Sequence, residues 1–219
     1  MIYICAGMPR SGSTWLFNVV RVLLKHGGAP DVAGGYVAQT DELLTHATSI
    51  VKLHPFHFGL ASKADVILTS HRDLRDIAAS MQRHYQKKYS AADMNDWVKD
   101  QVKWTQYAAY DLHYENMLTD KLAEVKKIAA VLKFSPQVLA QLDYNTILDE
   151  IDGAKFKKKF AKDVAYDAEN LLHEGHITDG RHGSWDNVVP TDYVASIEKE
   201  FRGWMTSRGY LTAAPSAAR

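Results

Sequence analysis

The chain has a single cysteine, no excess of either charge and no long apolar run, and each shortage excludes a class of protein. Cys5 alone cannot build an internal disulfide framework; within an apolar stretch it reads as a small buried hydrophobe and is compatible with a reducing compartment. Lysine plus arginine (26) balance aspartate plus glutamate (26), so no broad polyanion-binding face is implied and nucleic acid is not an expected partner. Any basic patch has to be local. No apolar segment reaches the roughly 20 residues that span a bilayer. The N-terminal apolar run is cut by Gly7, Pro9 and Arg10, unlike a secretory leader. The expectation is a soluble, cytoplasmic protein without a membrane partner. With 219 residues and 46% hydrophobic content the chain is long enough for one substantial core. A domain over residues 1–210 is expected, followed by a disordered tail over 211–219.

The most informative stretch is Gly7-Met8-Pro9-Arg10-Ser11-Gly12-Ser13-Thr14-Trp15. A phosphate loop reads G-x-x-x-x-G-K-[ST]: backbone N–H groups wrap the phosphates, lysine neutralises them and the hydroxyl holds Mg²⁺. Gly7 and Gly12 keep that spacing and Thr14 keeps the hydroxyl, but Ser13 replaces the lysine and an arginine stands three residues earlier. Residues 1–6 are apolar and β-prone, while Leu16, Val19, Val20 and Leu23 repeat at helical spacing. The loop is therefore expected between a strand and a helix N-terminus, where free N–H groups and the helix dipole attract an anion. The plainer reading is a Gly-Ser turn that caps a helix.

Residues 27–35 read as a loop, 49–54 as a short strand ended by Pro55, and 65–70 as a buried parallel strand followed by a helix. Helical patterns cover about 92–110, 121–132, 136–142 and 190–207, with a short strand near 112–115 and a lysine-rich segment at 155–162. Alternating strands and helices after a phosphate loop argue for one α/β domain: a central parallel sheet flanked by helices, with ligand at the strand C-termini. Arg10, Lys52, His54 and Arg72 all fall near such ends. Lys52 and His54, two residues apart, share a strand face. A histidine takes a proton from a hydroxyl and a neighbouring lysine binds an anion. Taken without its neighbours, His54 reads first as a hydrogen-bonded structural histidine. His54 and His57 as a metal pair lack a third ligand, so no metal is expected.

These residues resemble a family, the sulfotransferases that use 3′-phosphoadenosine 5′-phosphosulfate (PAPS), particularly the cytosolic type, and look like a short bacterial-type member. The first family motif, T-Y-P-K-S-G-T-T-W, is similar to residues 7–15, with Arg10 where the family usually has lysine. K-T-H is matched by Lys52-Leu53-His54, and R-N-x-K-D-x-x-x-S by Arg72-Asp73-Leu74-Arg75-Asp76-Ile77-Ala78-Ala79-Ser80. Y-E-D-M looks like Tyr114-Glu115-Asn116-Met117. The last motif, R-K-G-x-x-G-D-W-K-N, is kept only in part by Thr178-Asp179-Gly180-Arg181-His182-Gly183-Ser184-Trp185-Asp186-Asn187, because Thr178 and Asp179 replace its basic pair.

The resemblance implies sulfuryl transfer from PAPS, leaving PAP, to a hydroxyl or amine of a small-molecule acceptor. In it Arg10 binds the phosphosulfate and stabilises the leaving group, Ser11, Gly12, Ser13 and Thr14 supply loop donors, His54 is the general base and Lys52 orients the sulfuryl group. Arg72 and Ser80 correspond to 3′-phosphate ligands. Eight helical residues advance about 12 Å, so spacing alone does not pair them; the other reading of Arg72 is an ion pair with Asp73 or Asp76. Trp15 and Tyr114 correspond to residues beside adenine, or are core. Gly180, Arg181 and His182 are candidates for the lost basic clamp. Acceptor recognition is expected from residues 27–48 and 84–110, whose Tyr85, Tyr89, Trp97, Trp104 and Tyr107 line a pocket or join the core. The family's dimer pattern is absent, which leaves oligomeric state open. Two alternatives stand: a phosphate-loop small-molecule kinase, and a non-catalytic PAP- or nucleotide-binding module.

Overall fold

A computed structural model describes residues 1–86, 89–155, 166–173 and 180–212. Five parallel strands form one sheet: β1 (Ile2–Cys5), β2 (Val32–Tyr36), β3 (Thr48–Lys52), β4 (Val66–His71) and β5 (Tyr110–His113). Their order is β2-β3-β1-β4-β5, with Cys5 opposite both Lys52 and Leu68. The single α/β domain with a central parallel sheet expected from the sequence is the fold observed.

The continuous apolar character of the central strands follows from burial on both faces. Tyr3, Cys5, Ile50 and Leu68 pack on one side with the Ser13–His26, Lys121–Val131 and Tyr144–Gly153 helices. Ile4, Val51 and Ile67, one residue out of phase, pack on the other with Trp104. A further apolar cluster joins the Leu74–Tyr85, Ala91–Thr105 and Thr191–Glu200 helices. Cys5 is buried, which pushes its thiol pKa up.

Three expectations need correction. Residues 27–35 are not all loop: β2 starts at Val32, its signature diluted by Gly34 and Gly35. A Cβ on Gly34 would lie 2.8 Å from the Phe17 ring, so close approach of the Ser13–His26 helix selects glycine within a strand. The strand expected at 112–115 occupies Tyr110–His113, and Tyr114 opens a helix instead. The last helix breaks at Phe201, whose φ of −107° leaves the helical range, giving Thr191–Glu200 and Arg202–Ser207. The Tyr144–Gly153 helix, begun by Asp143 accepting from the Asn145 and Thr146 N–H groups, was absent from the expectation. Most of the lysine-rich segment and residues 213–219 of the expected tail lie outside the described residues, while Leu211 packs against the core.

Because β3 and β4 lie on opposite sides of β1, the turns after these three strands meet outside the sheet's carboxyl edge. Close packing there is tight. A Cβ on Gly7 would fall 2.1 Å from Ser70 Oγ and 3.0 Å from the Ser70 carbonyl oxygen. Gly7→Ala is therefore expected to destabilise the fold by about 1–3 kcal/mol through overpacking, read as a lower urea midpoint; an unchanged midpoint contradicts this approach of the loop to β4.

Candidate anion-binding active site

The turn after β1 is shaped by two left-handed residues, Arg10 at φ 63° and Gly12 at φ 81°. Gly12 is the N-cap of the Ser13–His26 helix; no side chain caps that helix and no acidic residue sits in its first turn. The N-terminal N–H groups of a long helix thus face the turn with the positive end of its dipole uncompensated by a local carboxylate. Ser11 does not belong to this surface: its N–H donates to the Met8 carbonyl at 3.3 Å, and its hydroxyl donates to the same oxygen at 2.7 Å. Its hydroxyl also lies 2.7 Å from Ser70 Oγ, which ties the loop to β4.

A cavity of about 500 Å³ opens beside the loop, lined by Arg10, Gly12, Ser13, Thr14, Trp15, Lys52, His54, Arg72, Ser80, Tyr114 and Gly180. Ten residues given candidate roles, far apart in sequence, are joined there with the Gly180 turn. Arg10 links two of them: its Nε donates to Ser80 Oγ at 2.9 Å, and its carbonyl accepts from Arg72 Nη1 at 3.3 Å. Arg72 is buried, and among the described residues it makes no ion pair with Asp73 or Asp76. Its Nη2 donates to the Arg181 carbonyl at 2.6 Å, and its guanidinium lies 4.1 Å over the Tyr114 ring. One face of Tyr114 is thereby covered by Arg72. Asp73 instead pairs with Arg75 at 2.6 Å, and Asp76 accepts from the Gly183 N–H at 2.7 Å.

β3 stops at Lys52, so His54, the residue before Pro55, lies beyond the end of the strand. Trp104, fully buried, donates its indole N–H to the His54 carbonyl at 3.2 Å and anchors that turn to the core. The His54 Nδ1 sits 2.6 Å from the Gly7 carbonyl. A carbonyl only accepts, so Nδ1 carries the proton and Nε2 keeps its lone pair. Burial, and then the charge of Lys52, push the His54 pKa down to about 4, against the opposing pull of the Gly7 bond. Lys52 is buried with its Nζ 4.7 Å from the Tyr36 ring centre, and burial lowers it to about 8. Burial first, and then the nearby Arg72 and Arg83 charges, lower the Arg10 pKa, partly offset by Tyr85 and Tyr114.

Several lining residues carried no sequence signal: Asn18 on the first helix, Tyr36 at the end of the strand hidden by glycines, Lys121, Asp152, Leu172 and His173. The side chains of Arg181 and His182 are exposed and outside the lining, so the clamp expected of them is not brought to the cavity; Thr178 and Asp179 lie outside the described residues. Of the aromatics between 84 and 110, Tyr85 lines the cavity, Trp104 is core, Tyr89 and Trp97 pack on the apolar cluster, and Tyr107 packs on Phe56. His57 Nδ1 accepts from the Leu60 N–H at 3.1 Å, a cap for the helix Phe58–Ala61. Among the described residues no group of three or more metal-ligating side chains occurs, and no helix is long and apolar enough to cross a membrane.

No protein-family model and no curated protein matches the chain in sequence. Solved structures do. Retinol dehydratase in complex with retinol and PAP superposes with a TM-score of 0.59 at 16% identity, over 98% of this chain and 83% of that one. The same enzyme with androsterone and the inactive cofactor PAP gives 0.60 at 14% identity, over 99% and 83%. Mouse sulfotransferase SULT7A1 complexed with PAP gives 0.64 at 17% identity, over 93% and 84%. Together with the parallel sheet and the loop after its first strand, these similarities establish that the chain has the sulfotransferase fold.

Proposed function

We propose that the protein is a PAPS-dependent sulfotransferase, moving a sulfuryl group to a hydroxyl or amine of a small-molecule acceptor, with His54 as general base. The observation that carries this reading is the convergence on one cavity of the uncapped helix N-terminus, Arg10, Lys52 and the Nδ1-protonated His54. The residues suit the nucleotide: Arg72 Nε and Trp15 Nε1 are buried without an acceptor among the described residues, and both side chains line the cavity. Arg10, Gly12, Ser13 and Thr14 hold the phosphosulfate end, Arg72 and Ser80 the other phosphate, and Trp15 lies beside the base. When bound, PAPS supplies an activated sulfur and a stable leaving group.

His54 Nε2 takes the acceptor proton as the acceptor atom bonds to sulfur and the sulfur–oxygen bond to the phosphate breaks, the electron pair leaving with PAP. Lys52 and Arg10 hold the oxygens on which charge develops. The donor set also argues against a Mg²⁺-dependent kinase. Mg²⁺ is held through carboxylates, and the lining carboxylate among the described residues, Asp152, is engaged at both oxygens by Lys121 Nζ at 2.8 Å.

The test is transfer of labelled sulfate from PAPS to an acceptor panel in EDTA. Transfer is expected; ATP turnover that needs Mg²⁺, without sulfate transfer, overturns the reading. The pH profile is a second check. Lys52 is charged below about pH 8 and loses its proton as pH rises through that value. Acting on free enzyme, kcat/KM should then fall towards about tenfold per unit above that pH, and Lys52→Arg should move the fall upward. A fall at the same pH in Lys52→Arg contradicts the assignment.

A further inference from the structure

β4 and β5 pair in parallel up to His71 and His113, and the ladder between them ends there. The next residues, Arg72 and Tyr114, both line the cavity, with the Arg72 guanidinium 4.1 Å from the Tyr114 ring centre. Arg72 lies in the connection to the Leu74–Tyr85 helix, and Tyr114 opens the Tyr114–Thr119 helix. The strand ladder therefore stops one residue short of this contact. Glu115 extends the link between the two connections: its Oε1 accepts the Asp73 N–H at 3.2 Å, which joins the residue after Tyr114 to the residue after Arg72. Its other oxygen is also held. Glu115 Oε2 accepts the Tyr210 hydroxyl at 3.3 Å and lies 3.3 Å from His113 Nε2. Burial, and then the Glu115 charge, raise the Tyr210 pKa, so that hydroxyl stays protonated and donates. Tyr210 is fixed in turn, its carbonyl accepting from Arg75 Nη2 at 3.0 Å and its ring 5.0 Å from that of His113.

Resting on the PAPS reading, we propose that Glu115 is a positioning residue for the nucleotide's 3′-phosphate, setting Arg72 against Tyr114 by holding the Asp73 N–H. Glu115 is outside the cavity lining and acts through its neighbours. What it contributes is reach between two connections. A carboxylate one residue from Arg72 opposes a phosphate by like charge, so its charge is no help to the ligand.

Reach and charge are separated by two substitutions: Glu115→Asp keeps the charge on a side chain one methylene shorter, and Glu115→Gln keeps the length and an acceptor oxygen without the charge. Each full-length protein is titrated calorimetrically with PAP and adenosine 5′-monophosphate, which differ only in the 3′-phosphate. Wild type should prefer PAP. Glu115→Asp should reduce that preference by about 10-fold, the scale of a weakened charge-assisted bond to phosphate, and Glu115→Gln should keep it within about threefold. Arg208→Ala is the control: it cuts the bonds to Asp111 at 2.7 Å and Gln101 at 3.3 Å, loosening the same C-terminal segment without touching Glu115, and should keep the preference. Hydrogen exchange at the Asp73 amide reads the link with no nucleotide present; it should quicken in Glu115→Asp and stay at the wild-type rate in Glu115→Gln. An unchanged preference or an unchanged Asp73 exchange rate in Glu115→Asp overturns the proposal, as does an equal loss of preference in Glu115→Gln or in Arg208→Ala. A wild type that does not distinguish the nucleotides overturns the PAPS reading and the proposal with it, a failure told apart from the others because it appears before any substitution.

Discussion

Replacing His54 by alanine is expected to slow sulfuryl transfer by about 10²–10⁴-fold, the usual contribution of a positioned base, while leaving PAP affinity within about twofold. The separation arises because the imidazole is placed by the protein and not by the nucleotide. The Gly7 carbonyl accepts a hydrogen bond from its Nδ1–H at 2.6 Å, and the Trp104 indole N–H, held in the core, donates to its carbonyl at 3.2 Å. Loss of the ring removes the lone pair at Nε2 without touching Arg10, Arg72 or Ser80. The pH dependence gives the same assignment a second check. With its pKa lowered to about 4, His54 stays neutral as pH falls from 8 through 6, so its titration should add no acid-side fall in kcat/KM over that range. An acid limb near the ordinary histidine value of about 6.5, present in wild type and absent in His54→Ala, contradicts the depressed pKa. Equal transfer by wild type and His54→Ala removes His54 from the chemistry.

Replacing Arg10 by alanine is expected to lower kcat/KM by about 10²–10³-fold, the scale measured when one preorganised donor to developing charge is lost. Arg10 occupies a left-handed backbone position at φ 63°, uncommon for a residue with a Cβ. There its carbonyl receives Arg72 at 3.3 Å while its Nε reaches Ser80 at 2.9 Å. It thus couples the loop to the Leu74–Tyr85 helix as well as facing the cavity. Burial and two like charges disfavour its charged form, and an anion reverses that bias. Arg10→Lys keeps the charge but cannot donate to Ser80 through a planar fork, so it should retain more activity than alanine while falling short of wild type. Steady-state kinetics on the three proteins check this order. Full activity in Arg10→Ala assigns the anion to the helix N-terminus and loop backbone alone.

The residues that were legible in the sequence are those tied to local rules. β1 and β4 announce themselves as apolar runs, and the Gly7/Gly12 spacing marks the turn between a strand and a helix. Lys52, His54 and Arg72 were readable because parallel topology gathers strand ends at one edge. β2 was hidden, since Gly34 answers the Phe17 ring of the helix packed on that face of the sheet, and with it Tyr36, the partner of Lys52, was missed. Asn18 and His173 reach the cavity by a contact of the opposite kind: Asn18 Nδ2 donates to the Asn170 carbonyl at 2.8 Å, joining residues 152 apart. No local pattern records such a pairing. Ser11 went the other way, because its motif position promised a donor but its hydroxyl closes the loop on Met8. Arg181 likewise presents a carbonyl to Arg72 instead of a cation to the cavity.

The most direct measurement is titration of the wild-type chain with PAP in EDTA. The account predicts saturable binding without metal, at least about tenfold tighter than adenosine 5′-monophosphate, the scale of one charge-assisted contact. Absence of PAP binding, with ATP bound only when Mg²⁺ is present, contradicts it.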